Sequence, residues 1–264
     1  MSTEETERTE RIRDRGLENG LFRACMDAIR KSHTVGQSLR NAAIAAGLLT
    51  DQYCYAEMLG QFYLATATLE KRMDELVANE HETKIDATLV KKVQKLGYTF
   101  RSGYERDLQT LLGSSWQETI TSWANEPAKR YSKRIQNACD AECAAAAFIL
   151  HGPLIIGGGA ALKPRVEKAF GKDATNVFET VIGAARGGRS RRRREFIKCY
   201  DQLLLGVDQD QKNRLFGEIV DAVSEFMDLN NEMMLAVKQS PWWHKYVKIT
   251  FVVVVAYCIR RYIK

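Results

Sequence analysis

The sequence predicts an all-α chain, and three observations carry that reading. Alternating β-branched runs bounded by turns are almost absent before the C-terminus. Two stretches, from Leu21 and from Tyr55, repeat apolar residues at helical spacings. An apolar run at Phe148 to Ile156 leads into Gly157, Gly158 and Gly159, directly before the helix formers Ala160, Ala161 and Leu162. The length of 264 residues suffices for one large domain with a substantial core. Lys plus Arg at 39 against Asp plus Glu at 33 gives net +6, which favours anionic partners such as lipid headgroups, phosphates or carboxylates. Six cysteines at 25, 54, 139, 143, 199 and 258 show no paired framework, and no cleavable secretory signal opens the chain. A disulfide-stapled secreted scaffold is therefore not expected; a reduced cytosolic environment is.

Residues 1–20 alternate acidic and basic side chains with almost nothing apolar, so they are expected to be disordered and lie outside the fold. In Leu21 to Ser38, Phe22, Cys25, Met26, Ile29 and His33 fall at i, i+3, i+4, i+7 and i+11 on one helical face. A histidine closing such a stripe is either a satisfied core residue or a metal ligand. Thr50 is expected to cap a helix carrying Tyr55, Leu59, Phe62, Thr66, Leu69, Met73 and Leu76 as a packed seam, broken over Asn79 to Lys84. Shorter helices follow at Asp86 to Lys95, Tyr104 to Leu112 and Ser115 to Ala124, and Pro127 restarts the chain at a helix N-terminus, where its missing donor matters little. Cys139 and Cys143 have the spacing of two helical metal ligands, but no nearby His or Cys completes a set, which favours small core residues.

Phe148 to Lys163 reads either as a bent helix with part of its side-chain wall removed or as an interhelical loop. Glycine allows close backbone approach but costs about 1 kcal/mol against Ala in a helix. Pro153 removes a backbone donor and clashes with the Ile149 carbonyl, which predicts a kink. The segment from Gly183 to Arg194, GAARGGRSRRRR, is the most basic of the chain. It is expected to be a solvated loop entering a helix at Glu195, although its composition is also that of arginine-glycine nucleic-acid or nuclear-import segments. Nucleic acid is not the expected partner. Asp208 to Lys238 predicts a last amphipathic helix with Leu215, Ile219, Ala222, Phe226, Leu229 and Met233 on one side. Beyond Pro241, Trp242, Trp243, Lys245 and Lys248 precede Ile249 to Ile259, with Arg260, Arg261 and Lys264 after it. Residues 242–264 therefore predict a C-terminal transmembrane helix with an aromatic belt and basic flanks. Its apolar part, Tyr246 to Ile259, is 14 residues, about 21 Å of helix against the roughly 30 Å of a typical hydrocarbon core. Snorkelling cations or a thin membrane would accommodate it. The competing reading of Val252 to Val255 is a buried strand.

Arg30-Lys31-Ser32-His33-Thr34 resembles the opening of a heme oxygenase, where the histidine of the proximal helix ligates the heme iron. Tyr55 to Leu76, ending in Leu69-Glu70-Lys71-Arg72, is similar to the family's second helix. Tyr104-Glu105-Arg106-Asp107-Leu108 and Trp116-Gln117-Glu118 resemble its Leu-Glu-x-Asp-Leu and Trp-Gln-Glu, and Pro127-Ala128 with Arg130 to Arg134 resembles another run. From Glu142 the match runs without gaps, so Gly158, Gly159, Leu162 and Lys163 fall on the family's distal-helix Gly-Gly and Leu-Lys. The likeness covers roughly residues 20 to 238, and it implies a heme oxygenase-like helical domain over 21–238 followed by an anchor over 239–264. Heme is the implied cofactor, with His33 as axial ligand to the iron and Gly158 and Gly159 against the porphyrin. A flavin reductase is the implied electron donor. Tail-anchored members typically sit on the cytosolic face of the endoplasmic reticulum, and a short anchor between cations would also suit the mitochondrial outer membrane.

Where this chain departs from the family, polar roles are lost. The family's distal Gly-Asp falls on Leu154 and Ile155, its pocket Tyr on Ile149, and its propionate-binding Lys and Arg on Ile197 and Asp201. The carboxylate matters most, because in the family it anchors the water network that protonates bound oxygen. His151, on the same segment, is the candidate distal or alternative axial group, and Arg193, Arg194 or Lys198 the candidate propionate partners. Three functions follow as expectations: oxidative opening of heme to biliverdin, carbon monoxide and iron; a non-catalytic heme carrier, buffer or sensor; or a membrane-tethered interaction protein that uses the segment over residues 186–194.

Overall fold

The computed structural model describes residues 20–45, 47–83, 88–156, 158–183 and 188–237. They form twelve α-helices and no strand. In order these are α1 (Leu21–Ala28), α2 (Arg30–Ala45), α3 (Gln52–Thr83), α4 (Thr88–Gln94), α5 (Arg101–Leu112) and α6 (Trp116–Trp123). Then come α7 (Glu126–Gln136), α8 (Asp140–Ile156), α9 (Gly158–Phe170), α10 (Asn176–Gly183), α11 (Gly188–Asp201) and α12 (Gln209–Leu235). The N-terminal segment before Gly20 and the expected anchor over 239–264 lie outside the described residues. Among the described residues no single helix is long and apolar enough to cross a membrane.

Helix α8 is the core element, packed by α12, α3, α4 and α11 on its several sides. Ala144, Ala145, Ala146 and Ala147 are all completely buried, and such short side chains let neighbouring backbones come close. One turn further on, Phe148 joins an aromatic cluster with Phe22 of α1 and with Phe196 and Tyr200 of α11, its ring centroid 5.0 Å from that of Tyr200. The Tyr200 hydroxyl donates to the Ala144 carbonyl at 2.8 Å. The helix continues past Pro153 to Ile156. The stretches Asp140–Ile156 and Ala161–Phe170 lie at 75° to each other. Pro153 itself is solvent-exposed, whereas Ile149, whose carbonyl would have accepted from position 153, is buried.

Helix starts here are largely capped from a distance. A helix N-terminus leaves four backbone donors without partners, and four carboxylates on other helices meet this need. Asp140 accepts from the Leu89 and Val90 N–H groups at 2.9 and 2.8 Å at the start of α4. Glu70 accepts from Phe100 and Arg101 at 2.7 and 3.1 Å below α5. Fully buried Asp107 accepts from Asn176 and Val177 at 2.6 and 3.0 Å at the start of α10. Asp201, at the end of α11, accepts from Phe22 at 3.1 Å at the start of α1. Each carboxylate also lies where the helix dipole favours negative charge, and each ties two helices together.

Local caps account for other starts. Asn125 accepts from Ala128 N–H at 2.9 Å with Pro127 in the first turn, as its position in the sequence suggests. Asp208 caps α12 through Gln211 N–H at 3.0 Å. The cap of α3 is not Thr50, which donates to the Gly47 carbonyl at 2.7 Å; it is Asp51, whose carboxylate takes the Tyr53 N–H at 2.8 Å. Helix α3 runs through Asn79 to Thr83 rather than breaking there, so Thr83 is its last residue. The single helix expected over Leu21 to Ser38 divides at Ile29, which at φ −89°, ψ 0° closes α1. The His33 N–H still bonds the Ile29 carbonyl at 2.7 Å, so the apolar face passes from α1 to α2.

Candidate functional site

Helix α2 is positioned by α12. The Ser32 hydroxyl donates to Asp228 at 2.7 Å, and the Asn231 amide donates to the Ser32 carbonyl at 2.8 Å. Gly36 permits this closeness, since a Cβ there would lie 2.5 Å from Asn231 Oδ1 and 3.1 Å from Met227 Cε. With that face held, His33, Gly36, Gln37 and Arg40 at i, i+3, i+4 and i+7 all line one cavity. Met227, Asn230 and Met234 of α12 flank them.

The other walls are apolar. Ile149, Leu150, Pro153 and Leu154 of α8 form one, joined by Leu162 of α9. Met58, Leu59 and Phe62 of α3 and Val177 and Phe178 of α10 close the far side, with Tyr55 and Tyr104 among them. The cavity volume is about 160 Å³, within about 960 Å³ of atom-free space that includes its open mouth. No acidic side chain lines it among the described residues, and His33 is the one histidine that does. Partial burial, and then the Arg40 charge, hold the His33 imidazole below its ordinary pKa. At neutral pH the ring is therefore neutral, with a lone pair free to bind a metal.

Gly158 and Gly159 open α9 one turn before Leu162. Arg193, Arg194 and Lys198 are exposed on α11, and no described residue of α11 lines the cavity. Arg192 of α11 is buried and lies 5.2 Å from the centre of the Tyr98 ring. His151 is not on the cavity either. It is 3 % exposed on the opposite face of α8 from Ile149 and Pro153, its ring centroid 4.9 Å from that of Phe100. It lines a separate hollow with Glu70, Asp74 and Tyr98. Its Nε2 is buried without a partner, and burial pushes its pKa down to about 4. The physical reason is helix geometry: 100° per residue carries position 151 away from the face that positions 149, 150, 153 and 154 share. The same rotation puts Leu154 on the cavity and Ile155 in the core, fully buried. Asp201 is the α1 cap described above. Cys139 is exposed and Cys143 buried, and no group of three potential metal ligands occurs among the described residues.

The sequence reading missed Gln37, Arg40 and Tyr104 as cavity residues and took Tyr55 as a core seam residue. Gln37 and Arg40 continue the helical face of His33 and could have been found by extending that spacing. Tyr55 and Tyr104 could not, because buried aromatics at helical spacing look the same whether they meet a neighbour or a void.

No family model matches the chain, and no curated protein matches it. Solved structures do. Heme oxygenase 2 from Chlamydomonas reinhardtii, solved without heme, superposes with a TM-score of 0.70 at 24 % identity over 84 % of this chain and 99 % of that one. Heme oxygenase-1 from the cyanobacterium Synechocystis, in complex with heme, gives 0.65 at 17 % identity over 90 % and 99 %. Heme oxygenase from Leptospira interrogans gives 0.64 at 16 % identity over 81 % and 98 %. The chain is an all-helical protein with the heme oxygenase fold.

Proposed function

We propose that this protein binds heme in the cavity between α2 and the α8–α9 corner, with His33 as the axial ligand to the iron. The observation that carries the reading is the half-buried, neutral His33 facing a wide apolar cavity in which it is the one histidine among the described residues. The fold supports it: one of the similar structures is a complex with heme. Apolar walls of Ile149, Leu154 and Leu162 suit a porphyrin face, whose burial is favourable by about 25 cal/mol per Å² of apolar surface. Arg40 is the cation on the cavity and is our candidate partner for a propionate, since a guanidinium pairs with a carboxylate through two parallel hydrogen bonds. Bound heme iron would supply redox chemistry with dioxygen, using electrons from a donor such as a flavin reductase.

Within this reading, heme binding dominates and oxidative opening to biliverdin is slow. Ring opening needs a proton delivered inside the cavity, a form of acid catalysis typically worth about 10² to 10⁴ in rate. The α8 wall offers Ile149 and Leu154, and His151 faces the other way. Apolar side chains do not hold an ordered water. Attachment to a membrane through residues 242–264 belongs to the same proposal.

The experiment is an absorption titration of the protein with hemin, followed by reductant and oxygen. A saturable Soret band is expected for the wild type, with a weaker and spectrally different complex for His33→Ala and little biliverdin from either. A wild type with no saturable band, or a His33→Ala spectrum identical to wild type, would overturn the assignment. Rapid biliverdin production would leave heme binding intact and overturn the slow-turnover reading.

A further inference from the structure

We propose that the corner of the molecule formed by Tyr53, Trp123 and Leu235 rests in the headgroup layer of a zwitterionic phospholipid membrane. This depends on the reading of residues 242–264 as a membrane anchor. Among the described residues the strongly exposed large apolar side chains are Val35, Tyr53, Leu205 and Leu235. Tyr53 and Leu235 stand at this corner, beside the half-buried Trp123.

Three helix ends are fixed together there. Trp123 is the last residue of α6, Leu235 the last of α12, and Tyr53 lies in the first turn of α3. The Tyr53 and Trp123 rings meet edge to face with 6.4 Å between centroids. Gln61 of α3 holds the α6–α7 turn, its amide donating to the Trp123 carbonyl at 3.2 Å and its own carbonyl accepting from the Asn125 N–H at 3.0 Å. The Asn125 amide lies 3.5 Å from the carbonyl of Met233, two residues before Leu235, and Arg130 of α7 pairs with Glu232. A fixed display of tyrosine, tryptophan and leucine suits the boundary between water and lipid, because each of these aromatic rings has an apolar body and a polar tip.

Chain length selects which exposed residues can reach a bilayer. Trp242 opens the expected anchor seven residues after Leu235, a span of about 25 Å at most. Leu205 is at the wrong end, since it precedes the Asp208 cap of α12 and the 27 residues of that helix put its two ends about 40 Å apart. A bilayer entered at Trp242 is therefore within reach of the Leu235 corner. The charged residues nearest in sequence to the two rings, Asp51 and Glu57, Glu118 and Glu126, are all acidic, so nothing there draws an anionic headgroup. Met234 and Tyr55 line the cavity, and docking at this corner would hold that site near the lipid surface.

The test uses full-length protein reconstituted in phosphatidylcholine vesicles, with and without bromine on the upper part of the acyl chains, because bromine quenches indole emission on contact. The emission missing from Trp123→Phe is the contribution of Trp123, separate from those of Trp116, Trp242 and Trp243. In brominated vesicles that contribution is expected to lose most of its intensity. Tyr53→Ser combined with Leu235→Ser, both at exposed positions, should restore it while resistance to alkaline carbonate stays as in wild type. Quenching that arises only when phosphatidylserine is mixed in would overturn the choice of lipid. A Trp123 left bright in a protein that resists carbonate would overturn the inference and leave the anchor standing; if aqueous iodide also fails to reach it, the corner belongs to a protein neighbour such as a second copy. Quenching undiminished in the double variant would overturn the part given to Tyr53 and Leu235. Release of the wild type by carbonate would remove the anchor reading and the inference with it.

Discussion

Acid should weaken this fold through His151, and replacing that residue should remove the effect. The imidazole is 3 % exposed, its Nε2 has no partner, and burial lowers its pKa from 6.5 to about 4. A group whose folded-state pKa is depressed contributes its full stability above the unfolded value. That stability is lost as pH falls, because the unfolded chain takes up the proton first. For His151 the loss begins near pH 6.5 and is complete near pH 4. At about 1.4 kcal/mol per unit the whole window corresponds to about 3 kcal/mol. That is an upper value, since Glu70 and Asp74 line the same hollow and would favour the imidazolium. His151→Leu keeps similar bulk on α8 and removes only the titration. Urea unfolding followed by circular dichroism should show the variant equal to or more stable than wild type at pH 7, and ahead by about 2 to 3 kcal/mol at pH 4.5. Because His151 faces away from the cavity, hemin affinity at pH 7 should be unchanged. Parallel loss of stability in the two proteins, or a His151 ring that titrates near 6.5 by NMR, would refute the reasoning. A large loss of heme binding would return His151 to the site.

Asp107→Asn should leave one backbone N–H at the start of α10 unpaired in the core, costing about 1 to 3 kcal/mol. Calorimetry should show a melting temperature lower by several degrees, and hemin affinity should fall as well because α10 carries Val177 and Phe178 of the cavity wall. Gly36→Ala gains about 1 kcal/mol of helix propensity but forces Asn231 from its bond to Ser32. Stability should therefore stay within about 1 kcal/mol of wild type while hemin affinity, read by absorption, drops severalfold; an unchanged affinity would mean that α2 does not set the position of His33. Removal of Pro241 to Lys264 should leave the helices through Leu235 folded and soluble, and the full-length protein should resist alkaline carbonate extraction from membranes. Release by carbonate would count against the anchor.

Several helices were legible from local signals. The seam of Tyr55, Leu59, Leu69, Met73 and Leu76 is buried as its spacing requires, and Asn125 with Pro127 begins a helix where it should. What could not be read were the carboxylate caps from other helices. Asp201 lies 179 residues from the Phe22 N–H that it meets, and Asp107 lies 70 from that of Val177. Such a cap gives the capped helix no signal of its own, so α4, α5 and α10 have starts that the local sequence does not announce. Asp201 also shows how one position can change use, since the resemblance assigns to it a cation for a propionate and the structure assigns to it a helix N-terminus.

The site divides along the same line. His33 was legible because an apolar stripe ended on it, and from there Gly36, Gln37 and Arg40 carry its face of α2 along the cavity. On α8 a resemblance could align residues but could not say which way they point. A rotation of one residue, about 100°, separates Leu154 on the cavity from Ile155 in the core and leaves His151 behind the wall. A carboxylate restored at Ile155 would enter the packed core, where an unpaired charge is strongly disfavoured. One at Leu154, which is half-exposed and on the cavity, could hold water. Leu154→Asp should therefore raise the biliverdin yield while leaving the fold intact, whereas Ile155→Asp should lower stability and give no product. The opposite pattern in melting temperature and yield would show that the functional face of α8 has been misplaced by that one residue.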